Sequence, residues 1–202
     1  MAYCDRNQPR GAWMTSILGG SLLALMAVQA SAAEPCTIGA RPWLSLTISA
    51  GLQVAVADRS ITVRVHDNGC AELHRPAFYR DAGDYRLQLR PEETAALRAQ
   101  VRTEPLAGFD AHAVNRQLSA AQAKRAGARS GAAEQFTVMD ADLYQIQWDA
   151  GEKLASAAWP AVHDYAEFYP SVLELKQLSK AVRAVQALLD RGDAVPVQGV
   201  TP

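Results

Sequence analysis

The stretch Ile61-Thr62-Val63-Arg64-Val65-His66-Asp67-Asn68-Gly69-Cys70-Ala71-Glu72-Leu73-His74 decides the fold. Apolar and polar residues alternate from Ile61 to His66, the period of a half-buried strand. Asp67-Asn68-Gly69 is a turn, and Ala71 to His74 returns. A two-residue loop at Asn68-Gly69 would set Val65 opposite Glu72 and mix the faces. A three-residue loop with Gly69 left-handed sets Val63 opposite Leu73 and Arg64 opposite Glu72. Core then meets core and a cation meets an anion. A one-residue slip would bury the charges, so we read the three-residue loop. On that register His66 lies opposite Cys70, and His74 opposite Thr62.

Strand patterns continue on both sides of this hairpin. Pro42 to Val56 is apolar and loosely alternating, which predicts one or two strands broken at Ala50-Gly51. Tyr85 to Leu89 alternates after the turn Asp81-Ala82-Gly83-Asp84. Pro91 then suits a first helical position, and Glu92 and Glu93 suit the positive end of a helix that runs through Leu97 and Val101. Pro105 and Gly108 end it. Residues 110–135 are rich in Ala, Arg and Gln and read as a partly helical excursion or a long, mobile loop. Phe136-Thr137-Val138 and Leu143 to Trp148 read as strands, and Lys153 to Trp159 pairs back after the turn at Asp149-Ala150-Gly151-Glu152. Ser171 to Glu174 has the form of a capping box. Val172, Leu175, Leu178, Val182, Val185 and Leu189 then mark an amphipathic helix ending near Arg191-Gly192. The expectation is an α+β fold, an antiparallel sheet with two main helices packed on one face.

The chain has 202 residues, of which 49% are hydrophobic and 20% charged, as expected of one globular domain. Its net charge is -1 and its pI about 6.4, which speaks against nucleic acid as a partner. Residues 1–33 read as a secretory signal. Arg6 and Arg10 precede the apolar run Ile17 to Val28, and Ala30-Ser31-Ala32-Ala33 supplies a cleavage site after Ala32 or Ala33. Met14 is an alternative start, although it leaves no basic residue ahead of the apolar run. That run is shorter than the ~20 residues of a spanning helix, so no stable membrane span is expected after cleavage. Cleavage removes two arginines and one aspartate, which takes the net charge from -1 to -2. It also removes Cys4. Cys36 and Cys70 remain, and an even pair in an exported chain reads as a disulfide, with two free thiols as the alternative. The expected organisation is a signal at 1–33, a single domain at 34–192 and a flexible tail at 193–202. The location is periplasmic or secreted.

The order of motifs resembles a group of small secreted bacterial domains of unknown function. The shared parts are Val63–Val65, the Asn68-Gly69 turn and Gly83 before Tyr85–Leu89. They continue with Glu92-Glu93 in a helix, Tyr144–Trp148, and Tyr169-Pro170 before the leucine-rich helix. The likeness covers roughly residues 45–190. It implies a fold and carries no activity, cofactor or catalytic residue.

Candidate chemistry is sparse. His66 and His74 are four residues apart along the hairpin, ~13 Å at ~3.3 Å per residue, too far to share one zinc. His163 stands beside Asp164 and near Glu167, and could join His112 in a site; closed zinc sites take four ligands, so no metal is assigned. Asp140 and Asp142 form an Asp-x-Asp that suits acid–base work or a cation, or simply a capped turn. Its spacing fails the calcium loop. There is no Gly-x-Ser-x-Gly elbow, no phosphate loop and no dinucleotide fingerprint, and no cofactor is expected. Trp148, Trp159, Tyr165, Phe168 and Tyr169 line a groove for a sugar or peptide, or else fill the core; the core is preferred. The reading is a non-enzymatic binding or interaction module of the cell envelope, with an envelope protein or a ligand as its partner. The alternative is a small periplasmic hydrolase using Asp140, Asp142 or His163.

Overall fold

The computed structural model describes residues 36–39, 41–51, 59–128, 136–151 and 153–197. The signal read at 1–33, the continuation of the first strand pattern at 52–56, and residues 129–135 and 198–202 lie outside the described residues. The strands are β1 (Pro42–Ser49), β2 (Ile61–His66), β3 (Cys70–Arg75), β4 (Gly83–Gln88), β5 (Leu143–Asp149), β6 (Leu154–Pro160) and β7 (Val195–Pro196). They form one sheet in the order β6-β5-β1-β2-β3-β4-β7, every neighbouring pair antiparallel. The helices are α1 (Pro91–Val101), α2 (Glu104–Ala107), α3 (Ala111–Ala128), α4 (Val162–Phe168) and α5 (Leu173–Gln186). The fold is α+β, as the alternation of strand and helix patterns predicts.

The β2–β3 register is the one argued above. Thr62 faces His74, Val63 faces Leu73, and Arg64 faces Glu72. Gly69 has φ 79°, its N–H donates to the His66 carbonyl at 2.9 Å, and its own carbonyl accepts from Leu89 N–H at 2.9 Å. A Cβ at Gly69 would stand 2.9 Å from that Leu89 carbonyl oxygen. Backbone conformation and space therefore both demand glycine.

The registers carry the alternation across the sheet. Trp148, Leu44, Val65, Ala71 and Leu87 form one row of the apolar face. Ala157, Ile146, Leu46, Val63, Leu73 and Tyr85 form the next. Helix α5 lies against this face with Leu175, Leu178, Val182 and Val185 all at 0% exposure, and α1, α2 and α4 pack around it. Burial at about 25 cal/mol per Å² of apolar surface is the main force holding the two layers. Trp148, Trp159 and Tyr169 belong to this core, and Tyr165 and Phe168 pack against it, so the aromatics serve the core.

Several local expectations are settled or corrected. Residues 111–128 are helix, the partly helical of the two readings of 110–135, because Val114 and Leu118 supply a buried stripe against the core. This adds a third long helix to the expected two. Phe136-Thr137-Val138 is not a strand; Phe136 stacks on Phe168 with ring centroids 4.4 Å apart. Ser171 does not cap α5. The N-cap is Val172, and Glu174 is drawn away to accept from Gln117 Nε2 at 2.7 Å. Regular helix ends at Gln186, with hydrogen-bonded turns from Ala187 to Asp190. The tail read as fraying supplies β7, in which Val195 pairs with Arg86 and Pro196 with Tyr85. A capping box does form at α1, where Glu93 accepts the Arg90 N–H at 2.8 Å. Glu93 also accepts from Arg191 at 2.7 Å, which ties α1 to the segment behind α5.

Cys36 and Cys70 form a disulfide. In the loop-entropy account a closure of this length is worth about 3–4 kcal/mol. Among the described residues no helix is long and apolar enough to cross a membrane.

Replacing Gly69 by Ala should cost about 1–3 kcal/mol, because the left-handed φ and the Leu89 carbonyl oppose a Cβ together. Gly127→Ala, in α3 with nothing within 4 Å of its Cβ position, should stabilise by up to about 1 kcal/mol. Urea unfolding of the two variants should shift in opposite directions.

Candidate functional site

The helices cover one face of the sheet, and its opposite face is polar. Two rows run across it. Gln147, Ser45, Arg64, Glu72 and Arg86 form the first; Gln145, Thr47, Thr62, His74 and Asp84 form the second. Alternation forces this outcome, since a strand that buries every second residue presents the others. Within the first row Glu72 stands between two arginines, and opposite charges directly across a strand pair stabilise by roughly 0.2–1 kcal/mol.

Two histidine–carboxylate pairs add direction. His74 Nδ1 lies 2.6 Å from Asp84 Oδ1, and His66 Nε2 lies 2.9 Å from Glu72 Oε2. A depression of about 230 Å³ is lined by Thr62, Arg64, Glu72, His74, Asp84 and Arg86. The segment at 36–39 closes one end of this face. Asn68 Nδ2 donates to the Thr37 carbonyl at 2.8 Å, and Arg86 donates to the Cys36 carbonyl at 3.4 Å. Gly39 lies on His66, so a Cβ there would be 3.3 Å from the His66 Cβ. His66 is consequently 2% exposed. The disulfide to Cys70 pins this strap in place.

The residues singled out from sequence fall elsewhere. Asp140 and Asp142 are exposed, before β5. Asp140 has the left-handed φ of 52°, and the Asp142 carbonyl accepts the Ala161 N–H at 2.9 Å. They form a structural turn that leads into β5 and is tied to the β6–α4 junction at Ala161. His112 is exposed in the first turn of α3, where the Asp110 carboxylate accepts the His112 backbone N–H at 2.8 Å. His163 projects from α4 to α5. Its Nδ1 is 2.9 Å from Ser179 Oγ and 3.3 Å from Arg183 Nε, and its Nε2 is 2.9 Å from Gln186 Oε1. Nδ1 then accepts and Nε2–H donates, which is the neutral ring. Burial lowers the His163 pKa from 6.5, and the Arg183 charge lowers it further against the Gln186 bond and the Asp164 charge. Ser179 is 6% exposed, which keeps its oxygen from a substrate, and the far nitrogen meets an amide where a hydrolase would place a carboxylate.

Asp142 and His163 do approach a common neighbour. Tyr144 meets the His163 ring edge-on at 5.0 Å, and its hydroxyl pKa is raised by burial and then by the Asp142 and Asp164 charges. Among the described residues no hydrogen bond or ion pair joins any two of Asp140, Asp142, His112 and His163. Nor is any group of three or more His, Cys, Asp or Glu among them placed to hold a metal ion.

The chain matches no known family model, no curated protein and no solved structure. The polar rows were within reach of the sequence, since Thr62, Arg64 and His66 alternate with the core residues of β2, and Glu72 and His74 with those of β3. What sequence could not supply was the strand order that extends the rows to β4, β1 and β5.

The ring of His163 is held neutral, so the folded state binds its proton less readily than the unfolded chain. Its contribution is present above about pH 6.5 and is lost as pH falls below that value. Glu93, lowered to about 2 by the Arg90 N–H and by Arg191, contributes above about pH 4.5 and loses that as pH falls toward 2. Urea unfolding from pH 7.5 to 2.5 should show stability falling with pH, and His163→Gln should flatten the slope below pH 6.5. Glu93→Gln should flatten only the limb below pH 4.5.

Proposed function

We propose that this chain is an exported binding module of the cell envelope, periplasmic or secreted, which holds a partner against the polar face of its sheet. The observation that carries the reading is the pair of polar rows spanning five strands. They offer paired charges and short hydrogen-bonding side chains on one hydrogen-bonded sheet. Such a surface suits recognition by electrostatic complementarity, which sets register and partner choice more than raw affinity. The disulfide supports an oxidising compartment. The resemblance to small secreted bacterial domains points the same way. Binding is favoured over catalysis, because Ser179, the partner of His163, is buried and the exposed acids stand at a turn.

Two measurements test this reading. The chain purified from a bacterial periplasm should have a mass lacking residues 1–32 or 1–33 and two hydrogens, the latter for the Cys36–Cys70 bond. A photo-crosslinking residue at Ser45 or Thr47 should then yield a discrete adduct in the periplasm, and one at Ala99 or Lys180 on the helical side should not. Arg64→Gln with Arg86→Gln should abolish the adduct while lowering stability by no more than about 2 kcal/mol, the two cross-strand pairs together. Equal labelling from both sides would remove the sheet face as the docking surface.

A further inference from the structure

The apolar face of the sheet breaks its own pattern at one residue. Ala71, Leu73 and Arg75 are the alternate positions of β3, and Arg75 pairs with Gly83, which has no side chain. An arginine at a core-facing position is costly unless its guanidinium is held. Here it is held firmly. It lies over the Tyr85 ring at 4.5 Å, donates to the Leu189 carbonyl behind α5, and stands 3.9 Å from the Asp81 carboxylate, with a side-chain exposure of 13%. A local departure from binary patterning that the rest of the fold supports marks a site of use.

Around Arg75 opens a cleft of about 500 Å³, within the range of small-molecule sites. Ile61 and Leu189 supply apolar lining, and Tyr79 and Tyr85 supply aromatic lining. Three arginines, Arg75, Arg80 and Arg191, face two acids, Asp81 and Asp190. Arg191 is committed to Glu93 and Asp193, both at 2.7 Å. Arg80 makes no hydrogen bond or ion pair among the described residues, although it lines the same cleft. Next to it, Phe78 is 63% and Tyr79 41% exposed, their rings 5.1 Å apart. A held guanidinium on Arg75, an uncommitted one on Arg80 and open aromatic surface thus meet in one place, with the charge of Arg191 already answered by Glu93 and Asp193.

We propose that this cleft binds a small anion, a carboxylate or phosphate ester, carried on an aromatic or apolar body. Arg80 closes on the anionic head, Arg75 supplies a fixed, flat guanidinium beside it, and the ligand's body covers Tyr79 and the Ile61–Leu189 surface. Guanidinium suits either head, because its paired N–H groups match two oxygens. The cleft lies on the helical side of the sheet, so this site is separate from the docking face proposed above, and either can fail without the other.

The test is a titration of the full mature chain, followed by amide and arginine side-chain NMR, with benzoate, phenyl phosphate, acetate and benzyl alcohol as probes. Benzoate or phenyl phosphate should shift Tyr79, Arg80, Tyr85 and Ala194 saturably. Acetate and benzyl alcohol, which lack the body or the charge, should bind at least about tenfold more weakly. Arg80→Gln should weaken the better probe about tenfold with the thermal midpoint unchanged, and Arg80→Lys should restore part of the affinity. Preference between benzoate and phenyl phosphate assigns the head group. Non-saturating shifts, equal response to benzoate and benzyl alcohol, or affinity indifferent to Arg80→Gln would each overturn the site.

Discussion

Everything in the sheet depends on the three-residue turn at Asp67-Asn68-Gly69. Because side chains alternate with a period of two, one residue more or less in that turn would exchange the faces of every strand beyond it. Gly69 holds the left-handed conformation, and its carbonyl receives the Leu89 N–H, so the turn also fastens the end of β4. Asn68 contributes twice, since its Oδ1 accepts the Cys70 N–H at 3.1 Å and its Nδ2 donates to the strap at Thr37. One turn thus sets the register, seats the strap and places Cys70 for its disulfide.

From this register the molecule acquires two unlike faces. The apolar face takes α5 and the helices around it, and most of the folding free energy resides there. The polar face holds charge in cross-strand pairs, which stabilise little but orient much. The strap at 36–39 buries His66 and its bond to Glu72 at one end of that face. Arg75 sits at the corner of the apolar face, where α5 has ended and the turns behind it offer a carbonyl in place of a side chain.

Much of this was legible. The β2–β3 register followed from pairing like with like, and the Cys36–Cys70 bridge from the even count left once the signal expected at 1–33 is set aside. The apolar stripe of α5 followed from spacings of three and four. Other features were not legible because a distant partner overrode the local signal. Ser171-Val172-Leu173-Glu174 has the letters of a capping box, yet Gln117 in α3 takes the Glu174 carboxylate. Residues 111–128 carry a narrow apolar stripe among alanines, so the helix is visible only once Val114 and Leu118 have a core to enter. Asp140, Asp142, His112 and His163 had suitable chemistry, but each is spent on a turn, a helix start or a helix–helix contact.

The sequence by itself determined the α+β class, the central hairpin, the pairing of the cysteines and which residues of that hairpin would be buried, because these depend on period and on near neighbours. Tertiary structure decided the strand order, and with it the polar rows. It also decided the use of the tail as an edge strand and the cleft at Arg75. Each of these joins residues far apart in the chain, as Tyr85 joins Pro196 and Arg75 reaches Leu189. Local periodicity says which way a side chain faces; only the packed chain says what it meets.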